Sequence, residues 1–187
     1  MNTQPASAYF IEERKQTLVT HTLSILVDNQ PGVLARVIGL FSARGYNIDS
    51  LTVSEVSHES HVSRITVVTT ALPEVIVQIK SQLERLVPVH RVTDLTEVAR
   101  ASRHEKPLER ELALVKVSGQ GEKRLEALRL ADAFHATVID ATTEHFVFEI
   151  TGRVNKIEQF VEIMQPLGLV EVCRTGVAAL NRGPEGM

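Results

Sequence analysis

The same order of elements is written twice along this chain. In 21–96 an apolar run, Leu23-Ser24-Ile25-Leu26-Val27, reads as a buried strand. Residues 33–43 place Val33, Leu34, Val37, Ile38 and Phe41 on one face at helical spacing. Gly45 ends that helix as a left-handed cap. Ile48–Val56 alternates and is rich in β-branched residues, so it reads as a strand, as does Val62–Thr70 after a polar turn. Pro73 opens a second helix carrying Ile76, Ile79, Leu83 and Leu86, and a last strand runs from Val87 to Leu95. Residues 110–180 repeat the pattern: a strand at Leu112–Val117, a helix over 122–133 with Leu125, Leu128 and Ala131 inward, strands at Thr137–Ala141 and Phe146–Thr151, a helix over 154–164 with Ile157, Phe160, Val161 and Met164, and a closing strand from Leu169 to Ala179.

Each copy is βαββαβ. Right-handed βαβ units around a hairpin give a four-stranded antiparallel sheet with both helices on one face. The expected fold class is therefore α+β, two ferredoxin-like domains in tandem: an N-terminal extension at 1–20, a first domain at 21–96, a linker at 97–109 with helical character at its start, a second domain at 110–180, and a tail at 181–187. The strands carry apolar residues on both faces, as in Ile65-Thr66-Val67-Val68. One face packs the helices. The other needs a cover, and a symmetric homodimer is the expected one.

Bulk properties narrow the function. The chain has 187 residues and a net charge of −3, with 4% aromatic residues. RNA-binding modules of this fold stack bases on strand aromatics, but Ser63–Val68 carries none, so a nucleic-acid partner is disfavoured. No apolar run is long enough to span a membrane and no secretory signal is visible, so the expected location is cytoplasmic. The single cysteine, Cys173, excludes an internal disulfide framework and reads as a small buried residue on a strand. No nucleophile–base–orienter set, metal cluster or dinucleotide fingerprint is present, so catalytic and metal residues are expected to be none.

Bland readings prevail at several polar motifs. His58 and His61 sit in a hairpin turn without a third ligand, which favours a solvated loop over zinc. Glu109 and Glu111 alternate on a strand and are expected to face solvent. Gly119-Gln120-Gly121-Glu122-Lys123 lacks Walker spacing, and Lys123 reads as a solvated residue of a first helical turn.

The sharpest signal is Asp28-Asn29-Gln30-Pro31-Gly32-Val33-Leu34. Pro31 has its φ preset for a first helical turn, and Gly32 adds no side chain. Free N–H groups and the positive helix end there suit a small anion such as a carboxylate, so a free amino acid is the expected ligand. The second copy departs at this point. Its turn, Ser118-Gly119-Gln120-Gly121, has neither the Asn nor the Pro.

This turn, together with Gly39-Leu40-Phe41-Ser42, Gly45-Tyr46-Asn47-Ile48, Ser50-Leu51-Thr52-Val53 and Ser63–Val68, closely resembles the regulatory small subunits of acetolactate synthase, also called acetohydroxyacid synthase. The resemblance extends through Arg110–Val117, Ile139-Asp140 and Arg174–Leu180 to nearly the whole chain. It implies that the first domain is an ACT domain, usually dimeric, which senses valine or another branched-chain amino acid. The ligand would sit between two chains: Asn29, Gly32, Val33 and Leu34 of one hold its carboxylate, ammonium and side chain, and Asn47 and Ile48 of the other close the pocket. Asp28 is expected to be a solvated turn carboxylate. The resemblance further implies that the second domain contacts and activates a large catalytic subunit. That partner, not this chain, would carry thiamine diphosphate, Mg²⁺ and FAD. An ACT sensor for a different enzyme or promoter is the alternative, and the second-half resemblance argues against it.

Overall fold

The computed structural model describes residues 17–103, 106–184 and 186–187. Most of the expected N-terminal extension lies outside them. Alternation along β1 (Val19–Asp28) and β3 (Val62–Ala71) puts Leu23, Ile25, Val27, Ile65 and Val67 on one face, all closed to solvent. Two helices cover that face: α1 (Val33–Ala43) through Val33, Val37, Leu40 and Phe41, and α2 (Pro73–Leu83) through Ile76, Ile79 and Leu83. Leu34 and Ile38, expected inward, stand on the flank of α1, and Leu34 is 37% exposed. With β2 (Ser50–Ser57) and β4 (Val89–Asp94) the sheet order is β2-β3-β1-β4, with every neighbouring pair antiparallel.

Helix α3 (Leu95–Ala101) begins where β4 stops. Asp94 caps it by accepting from the Thr96 and Glu97 N–H groups at 3.0 Å each, while its other oxygen lies 2.5 Å from His21 Nδ1. β5 starts at Leu108, so helix and strand take both ends of the stretch expected to be a linker.

The second unit repeats the plan with β5 (Leu108–Val117), α4 (Glu122–Ala133), β6 (Thr137–Ala141), β7 (Phe146–Gly152), α5 (Val154–Met164) and β8 (Leu169–Arg174), in sheet order β6-β7-β5-β8. Its core joins Ala113, Val115, Val117, Phe148 and Ile150 to Ala127, Ala131, Ile157, Phe160 and Met164. Leu125, expected inward, is 58% exposed. Helix α4 turns two alanines toward the sheet, and Phe134 and Phe160 fill the space at 5.5 Å between ring centres. The expected long closing strand breaks at Thr175–Val177, and a separate β9 (Ala178–Leu180) pairs with Leu108–Arg110 of β5.

Three expectations about polar residues are corrected. Cys173 is exposed on β8, opposite Leu114 on the helix-free face of the second sheet. Glu111 is buried, gripped by Arg174 through two bonds of 2.8 and 2.6 Å. Glu109 is half-buried and accepts a 2.6 Å bond from the Thr22 hydroxyl. The strand alternation was read correctly, but which face would be covered is a tertiary fact.

The grip of Glu111 raises the Arg174 pKa above its ordinary value against the opposing effect of burial. The Glu111 side chain is 3% exposed and that of Arg174 37%, which makes the pair asymmetric. Arg174→Ala strands a buried carboxylate and is expected to cost about 3 kcal/mol, whereas Glu111→Ala leaves a cation that reaches water and costs about 1 kcal/mol. Denaturant unfolding of the two variants checks the order.

Candidate functional site

The strand order dictates where the expected ligand residues sit. β1 and β2 are both antiparallel to β3, so they run parallel to each other. Asn29 and Gly32 follow the end of β1, whereas Asn47 and Ile48 precede the start of β2. The two groups therefore lie at opposite ends of one sheet. Six residues of β3 separate the row containing Asp28 and Val62 from the row containing Ser50 and Val68, about 20 Å. Within one chain these groups do not form one pocket.

The first group is a tight turn. Val33 N–H bonds Gln30 O at 3.3 Å, and Gly32 has φ 84° and ψ −9°. These are the values of the third residue in a type II turn, with Pro31 in the second position. Pro31 thus shapes the turn before α1 rather than the first turn of the helix, which begins at Val33. Arg36 N–H reaches Gly32 O at 3.1 Å. The N–H groups of Gly32, Leu34 and Ala35 have no backbone partner among the described residues. Val33 uses its N–H inside the turn and its side chain in the core, so it frames the turn from below. Asn29, Gly32 and Leu34 are exposed, and an added Cβ at Gly32 would meet nothing within 4 Å. Glycine is favoured there by its φ alone. Asp28 is half-buried and bonds His90 Nε2 at 2.7 Å, so it is paired rather than freely solvated.

The second group is pinned to β3. The Thr69 hydroxyl donates to Asn47 O at 2.6 Å, Asp49 N–H to Val68 O at 2.8 Å, and the Thr70 hydroxyl to the Asp49 carboxylate at 2.7 Å. Asn47 is exposed, with its amide bonded to Asp49 at 2.6 Å, and Ile48 packs on the core edge. Sequence reasoning did not single out Thr69 or Thr70. Their signal was a run of threonines at the end of a strand, too common to point to a role.

Two residues beyond Ile48 the first domain is fastened to the second. Ser50 Oγ accepts from Val177 N–H at 2.9 Å, and the Thr52 hydroxyl donates to Val177 O. Leu95, Val177 and Ala179 bury one another there, with Val68 and Val154 packed alongside. Part of the helix-free face of the first sheet, around Ser50, Thr52 and Val68, is thus covered by the chain's own later residues. Among the other motifs, His58 is exposed with Nδ1 2.9 Å from Glu55, His61 is exposed, and Lys123 is exposed in the first turn of α4.

Two sequence families divide the chain between them. The pattern described as "AHAS small subunit-like ACT domain" matches residues 23–91, and that described as "Small subunit of acetolactate synthase" matches 110–183. The "Probable acetolactate synthase small subunit" of Archaeoglobus fulgidus is 39% identical over 163 residues, spanning 87% of this chain and 97% of that protein. This chain belongs to the acetolactate synthase small-subunit family. The Mycobacterium leprae member is also 39% identical, over 91% of this chain and 96% of its own length. The crystal structure of the small subunit from Thermotoga maritima superposes with a TM-score of 0.78 at 36% identity, covering 89% of this chain and 99% of that one. The first domain is an ACT domain, and the two-unit architecture is shared with the Thermotoga maritima structure. No helix among the described residues is long and apolar enough to cross a membrane.

The fastening between the domains depends on one glycine. Gly176 has φ 81°, and an added Cβ would stand 2.8 Å from Ser50 Oγ and 3.2 Å from Leu51 O. Gly176→Ala is expected to lower stability by about 1–3 kcal/mol. Hydrogen exchange should show the loss at Val177–Leu180, with both domain cores still protected.

Proposed function

We propose that this chain is the regulatory subunit of an acetolactate synthase, activating a large catalytic subunit and making it sensitive to valine. The observation that carries the ligand reading is the Gln30–Val33 turn, with its unpaired N–H groups at the start of α1. A carboxylate suits those donors and the positive helix end. The Asn29 amide has both a donor for the carboxylate and an acceptor for the ammonium. The exposed Leu34 side chain offers apolar contact to an isopropyl group. Thiamine diphosphate, Mg²⁺ and FAD belong, in this reading, to the catalytic partner.

The site is completed by a second copy. β2 is an edge strand, and Val53 on it is 43% exposed on the helix-bearing face. Leu34 and Ile38 stand on the neighbouring flank of α1. Together they form an apolar margin beside a strand edge that no described residue pairs, a ready template for another chain. Antiparallel pairing of two β2 strands sets the start of one against the end of the other. It therefore carries the partner's Asn47–Ile48 segment to the end of the sheet where the Asn29–Gly32 turn lies. A ligand bridging the two segments pulls on residues two positions from Ser50, and so on the Val177 fastening of the second domain. Such a ligand shifts activity only as far as it binds one arrangement better than the other.

Two variants test this. Gly32→Asp competes for the same N–H groups and opposes the ligand's charge. The left-handed φ makes it cost about 1 kcal/mol. The holoenzyme reconstituted with this variant is expected to keep its activation and lose valine inhibition. Inhibition at the parent valine concentration places the site elsewhere. Val53→Lys sets like charges across the edge and is expected to turn a dimer into a monomer at micromolar concentration in sedimentation velocity, with unchanged circular dichroism.

A further inference from the structure

Helices α1 and α2 leave an open groove of about 450 Å³ between them on the outside of the ACT domain. Its walls are Arg36 and Leu40 from α1, Arg44 that caps its C-terminal end, and Gln82, Arg85 and Leu86 from α2 and the turn that follows it. Arg36 and Leu40 lie four residues apart on one face of α1, and Arg44 follows four residues on at the cap. Arg36 and Arg44 are about 12 Å apart along the axis. This face lies on the flank of α1 opposite Leu34 and Ile38, away from the strand edge assigned to the second copy.

The charge of the groove is unbalanced. The chain carries 23 acidic and 20 Lys and Arg residues, yet none of these three arginines has an ion pair or side-chain hydrogen bond among the described residues. Crowding like charges in one groove opposes folding, so the cluster does not serve the stability of the free domain. The floor is not that of a simple anion site either. Leu40 is buried and Leu86 half-buried, and the Gln82 Oε1 atom is buried without a partner. An occupant that satisfies all of these has carboxylates for the arginines, an N–H donor for Gln82 and an apolar side chain for the leucines. Inorganic phosphate offers charge for the arginines and an O–H for Gln82, but nothing apolar for the leucines.

We propose that this groove docks an acidic segment of the catalytic subunit, with two carboxylates about 12 Å apart reaching Arg36 and Arg44 and a third group meeting Arg85. The assignment rests on the regulatory-subunit reading. It adds a second contact, on the ACT domain itself, to the contact expected through the C-terminal domain. The arginines steer and register that partner, and their chief effect is on the rate of association.

The test is binding of the full chain to the purified catalytic subunit by surface plasmon resonance at two salt concentrations. Arg44→Glu/Arg85→Glu is compared with the milder Arg44→Gln/Arg85→Gln and with the unaltered chain. The charge-reversed chain is expected to bind at least tenfold more weakly, mostly through a slower association rate. The Gln pair should fall between and show a shallower salt dependence, while valine affinity stays at the parent value. Equal binding by all three chains overturns the groove assignment and leaves the regulatory reading standing. No binding by the unaltered chain overturns the regulatory reading and the groove's occupant with it. Two further results also overturn the proposal: loss of self-association in the reversed pair with catalytic-subunit affinity intact assigns the groove to a second copy, and calorimetric binding of pyrophosphate that the reversed pair abolishes, with catalytic-subunit affinity intact, makes it a small-anion site.

Discussion

The hydroxyls on the helix-free face of the first sheet join this molecule into one piece. Alternation puts Thr22, Ser50 and Thr52 on the side away from α1 and α2. Covering such a face with purely apolar residues would leave those hydroxyls unsatisfied, at about 1–3 kcal/mol each. The later part of the chain meets them with matched groups: the Val177 N–H and C=O for Ser50 and Thr52, and the Glu109 carboxylate for Thr22. Leu95, Val177 and Ala179 then exclude water between those bonds. The break between β8 and β9 follows from this arrangement. A continuous strand from Leu169 would stay on the second sheet, and Gly176 with its left-handed φ lets Val177 reach across.

This joint gives the second domain a stake in the start of β2. Asn47 O is held by Thr69 and Asp49 by Thr70, so the segment is tied to a central strand of the sheet while its Asn47 side chain stays exposed. A contact made at Asn47 or Ile48 is passed through a hydrogen-bonded strand to Ser50. From there it passes through one bond to Val177, which lies three residues beyond the Arg174 that grips buried Glu111. The Thr69, Ser50 and Arg174 bonds are directional contacts in partly buried settings, and the Thr70–Asp49 bond lies in the open.

The fold was legible because its signals are local. Helical spacing, β-branched runs and the Gly45 cap depend on neighbours in sequence, and α1, α2, α4 and α5 match their expected ranges closely. The turn ahead of α1 was legible too, although Pro31 and Gly32 build a type II turn rather than a helical start. What escaped depends on partners far away in the chain. Glu111 looks like a solvent residue until Arg174, 63 positions later, is placed beside it. Leu125 looks like core until Ala127 and Ala131 are seen to bring α4 down on its other side. Cys173 has the small, apolar character of a core residue, but is exposed on a sheet face that the described residues leave open there. Periodicity reports that a residue sits on a face. It does not report what the face meets.

The same distinction explains why two copies of one unit present different surfaces at matching places. In the first, the loop before α1 is held at its start, where Asn29 N–H bonds His61 O at 2.7 Å, and an added Cβ at Gly32 meets nothing within 4 Å. In the second, the matching loop is held at Ser118 and Gly119 by the loops beside it. Ser118 N–H bonds Gly168 O at 2.8 Å, its hydroxyl donates to Glu144 O at 3.1 Å, and an added Cβ at Gly119 would stand 3.0 Å from Leu167 O. Arg124, in the first turn of α4, lies over the Phe146 ring at 3.7 Å and donates to Thr142 O at 2.5 Å. Gly121 takes φ 59° and ψ −129°, outside the left-handed helical well that Gly32 occupies. Yet Gly121, directly before α4 as Gly32 is directly before α1, also has nothing within 4 Å of an added Cβ. Losing the Asn and Pro of the first turn therefore changes the backbone shape and the side chains around the helix start, not its openness.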